Sequence, residues 1–179
     1  MVAPAAPELV IERVFDAPRE LVWRAWTDPE QMLKWGGPRS HPITHGEGEF
    51  KVGGKWRACL RSVETGGELW QGGVYHEIVP PQKLVHTFHW EGDDGKPENE
   101  MLIKLTFEEQ GAKKTKLTLH QTEFRARQAK DKRVQGDTEG GGLEADPYFG
   151  LVFAGERLEP YLAHGFPAGA AENILRFGA

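Results

Sequence analysis

FDAPRELVWRAWTDPEQMLKWGGP, residues 15–38, decides how the chain is read. Asp16 is placed to cap a helix, and Pro18 falls in its first turn, where a missing N–H costs little. Leu21 and Ala25 lie four residues apart, as do Val22 and Trp26, so the two pairs share a broad apolar face. Asp28-Pro29 repeats the cap-and-proline signal. Met32 and Trp35 then form an i, i+3 pair, and Gly36-Gly37-Pro38 ends the second helix. Two short helices this apolar need a large surface to cover.

The sequence on either side supplies a sheet. ELVIERVF, residues 8–15, is a strand with Leu9, Ile11 and Arg13 on one side and Val10 and Val14 on the other. From Ile43 the apolar period is two. Strand-like stretches follow at 44–52, 55–63, 69–79, 84–90 and 101–107, and Leu117, Leu119 and Gln121 close the series. Trp56, Ala58 and Leu60 share one face, with Lys55, Arg57, Cys59 and Arg61 on the other. Trp70, Val74, His76 and Ile78 are in phase, as are Leu84, His86, Phe88 and Trp90, and then Met101, Ile103, Leu105 and Phe107. Gly53-Gly54, Gly66-Gly67 and the polar GDDGKPEN at 92–99 mark hairpin turns, and Pro80-Pro81 stops a strand.

Residues 125–146 combine a basic run with a glycine-rich one and read as an inserted, solvated loop. Asp146-Pro147 signals another helix. From Tyr148 to Leu162, Phe149, Val152, Phe153, Leu158, Tyr161 and Leu162 recur at helical spacing. Residues 1–7 and 164–179 read as flexible tails, leaving 8–163 as one domain. The predicted class is α+β: a curved antiparallel sheet of about seven strands wrapped around a long C-terminal helix, with two short helices after the first strand.

A chain of 179 residues with 39% hydrophobic and 27% charged residues suits one ordinary domain. The net charge of −5 argues against general nucleic-acid binding. A single cysteine, Cys59, excludes an intramolecular disulfide and fits a reducing compartment. MVAPAAPELV lacks the basic and long apolar regions of a signal peptide, and no stretch approaches the roughly 20 apolar residues of a membrane span. The expectation is a cytoplasmic protein.

Standard catalytic signatures are absent. Ser40 and Ser62 are the only serines and neither lies in G-x-S-x-G. KVGGKW is not a P-loop, and H-E-x-x-H does not occur. His86 and His89 are three apart on a strand and face opposite ways; His41 and His45 would need further ligands to hold a metal. No catalytic residue, metal or cofactor is expected. What remains is the space a curved sheet leaves beneath a helix, where a ligand would bind. The apolar candidates to line it are Trp56, Trp70, Phe88, Trp90, Met101 and Phe153. The polar candidates are His76 and His86, as polar anchors or a general acid/base for a bound aromatic ligand, and Gln121, as a holder of a ligand polar group.

Taken together, residues 15–38, GGKWRACLRS (53–62), GGVYHEIVPPQKLVHTFHW (72–90), KLTLHQTEF (116–124) and RLEPYL (157–162) resemble the SRPBCC superfamily. Within it they are similar to the family named for the C-terminal domain of the activator of the ninety-kilodalton heat-shock chaperone ATPase. The resemblance covers residues 8–124 well and 148–162 weakly. It implies the helix-grip fold with a deep, mostly apolar cavity. Related families bind lipids, sterols, polyketides or plant hormones, and some act as aromatase/cyclases. The chain departs from the pattern in its 125–146 insert, in Leu151 after Gly150, and in Gly155 where a larger residue is usual. The function expected is binding of a small hydrophobic or aromatic molecule without defined catalysis. A chaperone-type protein-interaction module and a polyketide cyclase-like enzyme are the alternatives, with a homodimer or a chaperone as partner.

Overall fold

The computed structural model of the protein describes residues 8–122 and 157–164. The order is β1 (Leu9–Phe15), α1 (Arg19–Thr27), α2 (Pro29–Trp35), β2 (Ile43–Gly48), β3 (Lys55–Arg61), β4 (Glu68–Val79), β5 (Lys83–Glu91), β6 (Pro97–Glu109), β7 (Thr115–Thr122) and α3 (Glu159–His164). One antiparallel sheet contains all seven strands in the order β1-β7-β6-β5-β4-β3-β2. Strands β2 to β7 form a meander through short turns, and β1 is added beside β7. This is the sheet that the period-two pattern predicts.

The helix pair is built largely as its sequence suggests. The Asp28 carboxylate accepts the Glu30 N–H at 2.9 Å and Pro29 opens α2. The indole N–H of Trp35 donates to the Ala25 carbonyl at 2.8 Å, a buried bond that fixes α2 against α1. The first cap differs from expectation. Pro18, not Asp16, is the N-cap of α1, with no side-chain cap bond. Asp16 points outward and lies 3.5 Å from Lys114. Thr115 does the local tethering instead, its hydroxyl donating to the Ala17 carbonyl at 2.7 Å.

Register shifts interrupt three of the ladders and bend the strands. One decides the site. Tyr75 pairs with His86 and Glu77 with Val85, so β4 carries one extra residue, His76, between them. The alternation of β4 therefore changes phase there. Gln71, Gly73 and Tyr75 face inward before the bulge, and Ile78 after it.

Two apolar clusters form. The larger packs α1 onto β1, β6 and β7 and includes Val22, Ala25, Phe15, Phe107 and Leu117, each no more than 1% exposed. The smaller joins Ile43, Ala58 and Leu60, with Met32, Trp56 and Trp90 against it. Of the predicted helix from Tyr148 to Leu162, the described part is α3 with Arg157 and Leu158 ahead of it as a π turn. Leu158 and Tyr161 are buried in the larger cluster. His164 ends α3 rather than opening a tail. Arg157 donates to the carbonyls of Lys34, Gly36 and Gly37 at 2.9, 3.0 and 3.1 Å, capping the C-terminus of α2 with a cation. The predicted loop at 125–146 and Phe153 lie outside the described residues. Among the described residues no helix is long and apolar enough to cross a membrane.

Candidate functional site, a cavity beneath the helix pair

The two clusters do not merge. Between them lies a mostly apolar cavity of about 230 Å³, partly open to solvent and lined by members of both. Its sheet wall comes from residues of β2 to β7. Among the described residues the opposite wall is the α1–α2 pair, through Trp26, Pro29, Met32 and Trp35, and nothing from Arg157 to His164 lines it. The first part of the C-terminal segment expected over this space, residues 148–156, lies outside the described residues.

Six of the nine predicted residues meet here: Trp56, His86, Phe88, Trp90, Met101 and Gln121. Register explains their meeting. Phe88 pairs with Met101, His86 with Ile103, and Ile103 with Gln121, so β5, β6 and β7 present one continuous row. The Trp56 ring lies 5.5 Å from that of His86 and 6.1 Å from that of Phe88, and Phe88 stands edge-on to Trp90 at 5.3 Å. Trp56 pairs with Gly73 on β4 yet contacts rings on β5. It does so by lying across β4: a Cβ placed on Gly73 would stand 2.7 Å from Trp56 Nε1. Only a glycine leaves room for the ring to cross.

Trp70 and His76 do not join the cavity, which corrects the expectation for both. Trp70 pairs with Cys59 on the outer face, where the Arg57 guanidinium stacks 3.7 Å above its ring. Arg57 also forms a bidentate bridge to Glu91 at 2.6 and 2.7 Å. His76 is the bulged residue of β4 and is exposed. Because the bulge reverses the phase, Gln71 and Tyr75 line the cavity in their place. The Gly72-Gly73 pair inside an apparent strand is the signal that could have flagged the irregularity. Trp26 and Met32 were also missed as lining residues. Their helical spacing shows a buried face but not what that face looks onto. The stretch at 44–52 ends as a strand at Gly48. Phe50, in the turn beyond, stands edge-on to Trp23 at 6.4 Å and to Tyr75 at 5.1 Å, joining α1 to the sheet beside the cavity.

The polar groups inside are sparse. His86 Nδ1 donates to the Thr87 carbonyl at 2.9 Å. Enclosure by protein pushes its pKa down to about 4, because a charged ring would lose its hydration there. The imidazole is therefore neutral near pH 7. Burial likewise pushes the Tyr75 phenol up to about 12 and keeps it protonated. The Gln121 amide is 1% exposed and donates to the Met101 thioether at 2.7 Å. Trp26 Nε1 and Trp56 Nε1 are buried without a hydrogen-bond partner among the described residues. Among those residues no three of His, Cys, Asp and Glu gather where they could hold a metal. The arrangement can enclose an apolar molecule and offer it a few neutral hydrogen-bonding groups.

An open seven-stranded antiparallel sheet, a helix pair after its first strand and an apolar space beneath that pair define an SRPBCC-type protein. Residues 16–141 match the family model described as Activator of Hsp90 ATPase homolog 1-like protein, and the chain belongs to that family. Solved structures agree on the fold. The AHSA1 protein from Silicibacter pomeroyi is 22% identical, with a TM-score of 0.67 over 89% of this chain and 100% of that one. A protein from Chromobacterium violaceum is 20% identical (TM-score 0.63, 86% of this chain and 96% of that one). One from Arthrobacter aurescens is 27% identical (TM-score 0.62, 67% and 70%). No protein of curated function matches the chain.

Proposed function

We propose that the protein binds a small, mostly apolar or aromatic molecule in the cavity between the sheet and the α1–α2 pair. The observation that carries this is the cavity itself. Protein interiors are normally packed without such spaces, and here rings from β3 and β5 border one without filling it. The fold family, whose members commonly bind hydrophobic ligands, supports the same reading. Cys59, buried and free, is consistent with a reducing, cytoplasmic setting.

Thermal-shift and native mass spectrometry against a panel of apolar mono- and bicyclic molecules test the proposal. The expected result is a raised melting temperature together with a one-to-one mass adduct for at least one compound. Loss of both on Met101→Trp, which would fill the space, is expected as well. A panel with neither response would overturn the reading.

A further inference from the structure

The polar atoms of this cavity narrow the class of molecule it takes, an inference that rests on the ligand-binding reading above. A carbonyl oxygen can only accept, so the bond from His86 to the Thr87 carbonyl places the proton on Nδ1. In a neutral ring Nε2 is then a lone pair. It has no hydrogen-bond partner among the described residues, and the ring borders the cavity. Trp56 at 5.5 Å and Tyr75 at 6.1 Å surround it with ring surface. The lone pair faces the cavity as an acceptor that the described protein leaves unused, and a ligand donor there gains a hydrogen bond in mostly apolar surroundings.

Charge works the other way. Arg57 is the one cation that borders the cavity among the described residues, and its guanidinium is turned to the outer face, over Trp70 and bound to Glu91 at 2.6 and 2.7 Å. A ligand carboxylate would meet only the neutral, unpaired N–H groups of Trp26 and Trp56, with no uncommitted cation among the described residues to offset its charge. Size sets the third limit. At about 230 Å³ the space is smaller than the roughly 300–1,000 Å³ of common ligand pockets and suits one or two fused rings better than a four-ring skeleton.

We infer that the cavity selects neutral one- or two-ring aromatic molecules bearing a hydroxyl, with that hydroxyl donating to Nε2 of His86, and rejects the matching carboxylates. The test is calorimetric titration of the full chain at pH 7 with 2-naphthol, 2-methoxynaphthalene, naphthalene and 2-naphthoate. The naphthol is expected to bind about three- to tenfold tighter than the methoxy compound, which keeps the oxygen and loses the donor. Naphthoate is expected to bind weakest. In His86→Phe the ring packing remains and the acceptor is lost, so the naphthol preference should shrink to about twofold or less.

Equal affinities for the three neutral compounds would overturn the His86 anchor and leave the cavity reading standing. So would tightest binding by naphthoate, or a preference that survives His86→Phe. Absence of binding by all four would overturn the anchor and the cavity reading together. Should His86→Phe fail to fold, the wild-type ratio of naphthol to methoxynaphthalene decides alone.

Discussion

Replacing Gly73 with alanine tests how the cavity wall is built. The new methyl would collide with the Thr87 carbonyl oxygen and stand 2.7 Å from Trp56 Nε1. Ordinary contact begins at 3.4 Å, so the indole must retreat by about 0.7 Å, and the Thr87 backbone must shift as well. Forced repacking of this kind costs about 1–3 kcal/mol. Removing a strand glycine returns about 0.5–1 kcal/mol, leaving a net loss of about 1–2 kcal/mol. Gly46 in β2 is the internal control, since a Cβ there meets nothing within 4 Å. Gly46→Ala should be neutral or stabilising by about 0.5 kcal/mol. The two variants should therefore differ by about 2 kcal/mol, or about 4–8 °C in melting temperature for a chain of this length. Urea unfolding followed by tryptophan fluorescence measures the difference. Because the Thr87 carbonyl also holds His86, Gly73→Ala should weaken the naphthol preference too. If the two alanine variants agree to within about 0.5 kcal/mol, Trp56 does not cross β4 as described.

Other outcomes follow from single contacts. The folded pKa of His86 lies at about 4, below its ordinary 6.5, so the unfolded chain binds the extra proton between those values. The stability this contributes is complete above about pH 6.5 and is lost as pH falls toward 4, on the order of 3 kcal/mol in all. A urea-unfolding pH series on His86→Phe should show a shallower decline across that window. Arg157→Ala leaves three carbonyls at the end of α2 without their cation and should cost about 1.5–3 kcal/mol by the same measurement. Arg57 holds the Glu91 carboxyl below its usual 4.5. That stability is complete above pH 4.5 and is lost as pH falls through the lower folded value, so Arg57→Met should flatten the acid limb of the stability curve.

Much of the fold was legible because its patterns are local. Period-two runs with glycine and proline turns gave the strands, and Asp28-Pro29 gave the start of α2. Asp16 misled because a good capping residue before a proline is only a local preference. In the fold, Lys114 lies beside it and Pro18 takes the cap. The cavity residues on β5, β6 and β7 were readable because those strands keep phase through His86, Ile103 and Gln121. On β4 the phase reading failed. A one-residue bulge at His76 is invisible to a period count and moved Trp70 to the outer face. The helix-pair roof was not readable either, since which surface Trp26 and Met32 look onto is set by contacts distant in sequence.

The most direct test uses the methionines. The chain has three, and two of them, Met32 in α2 and Met101 in β6, line the cavity from opposite walls. With methyl-labelled methionine, a titration with 2-naphthol followed by NMR should move both of these signals together, assigned through Met32→Leu and Met101→Leu. If both stay in place while the ligand is shown to bind, the molecule sits elsewhere and the cavity is not the site.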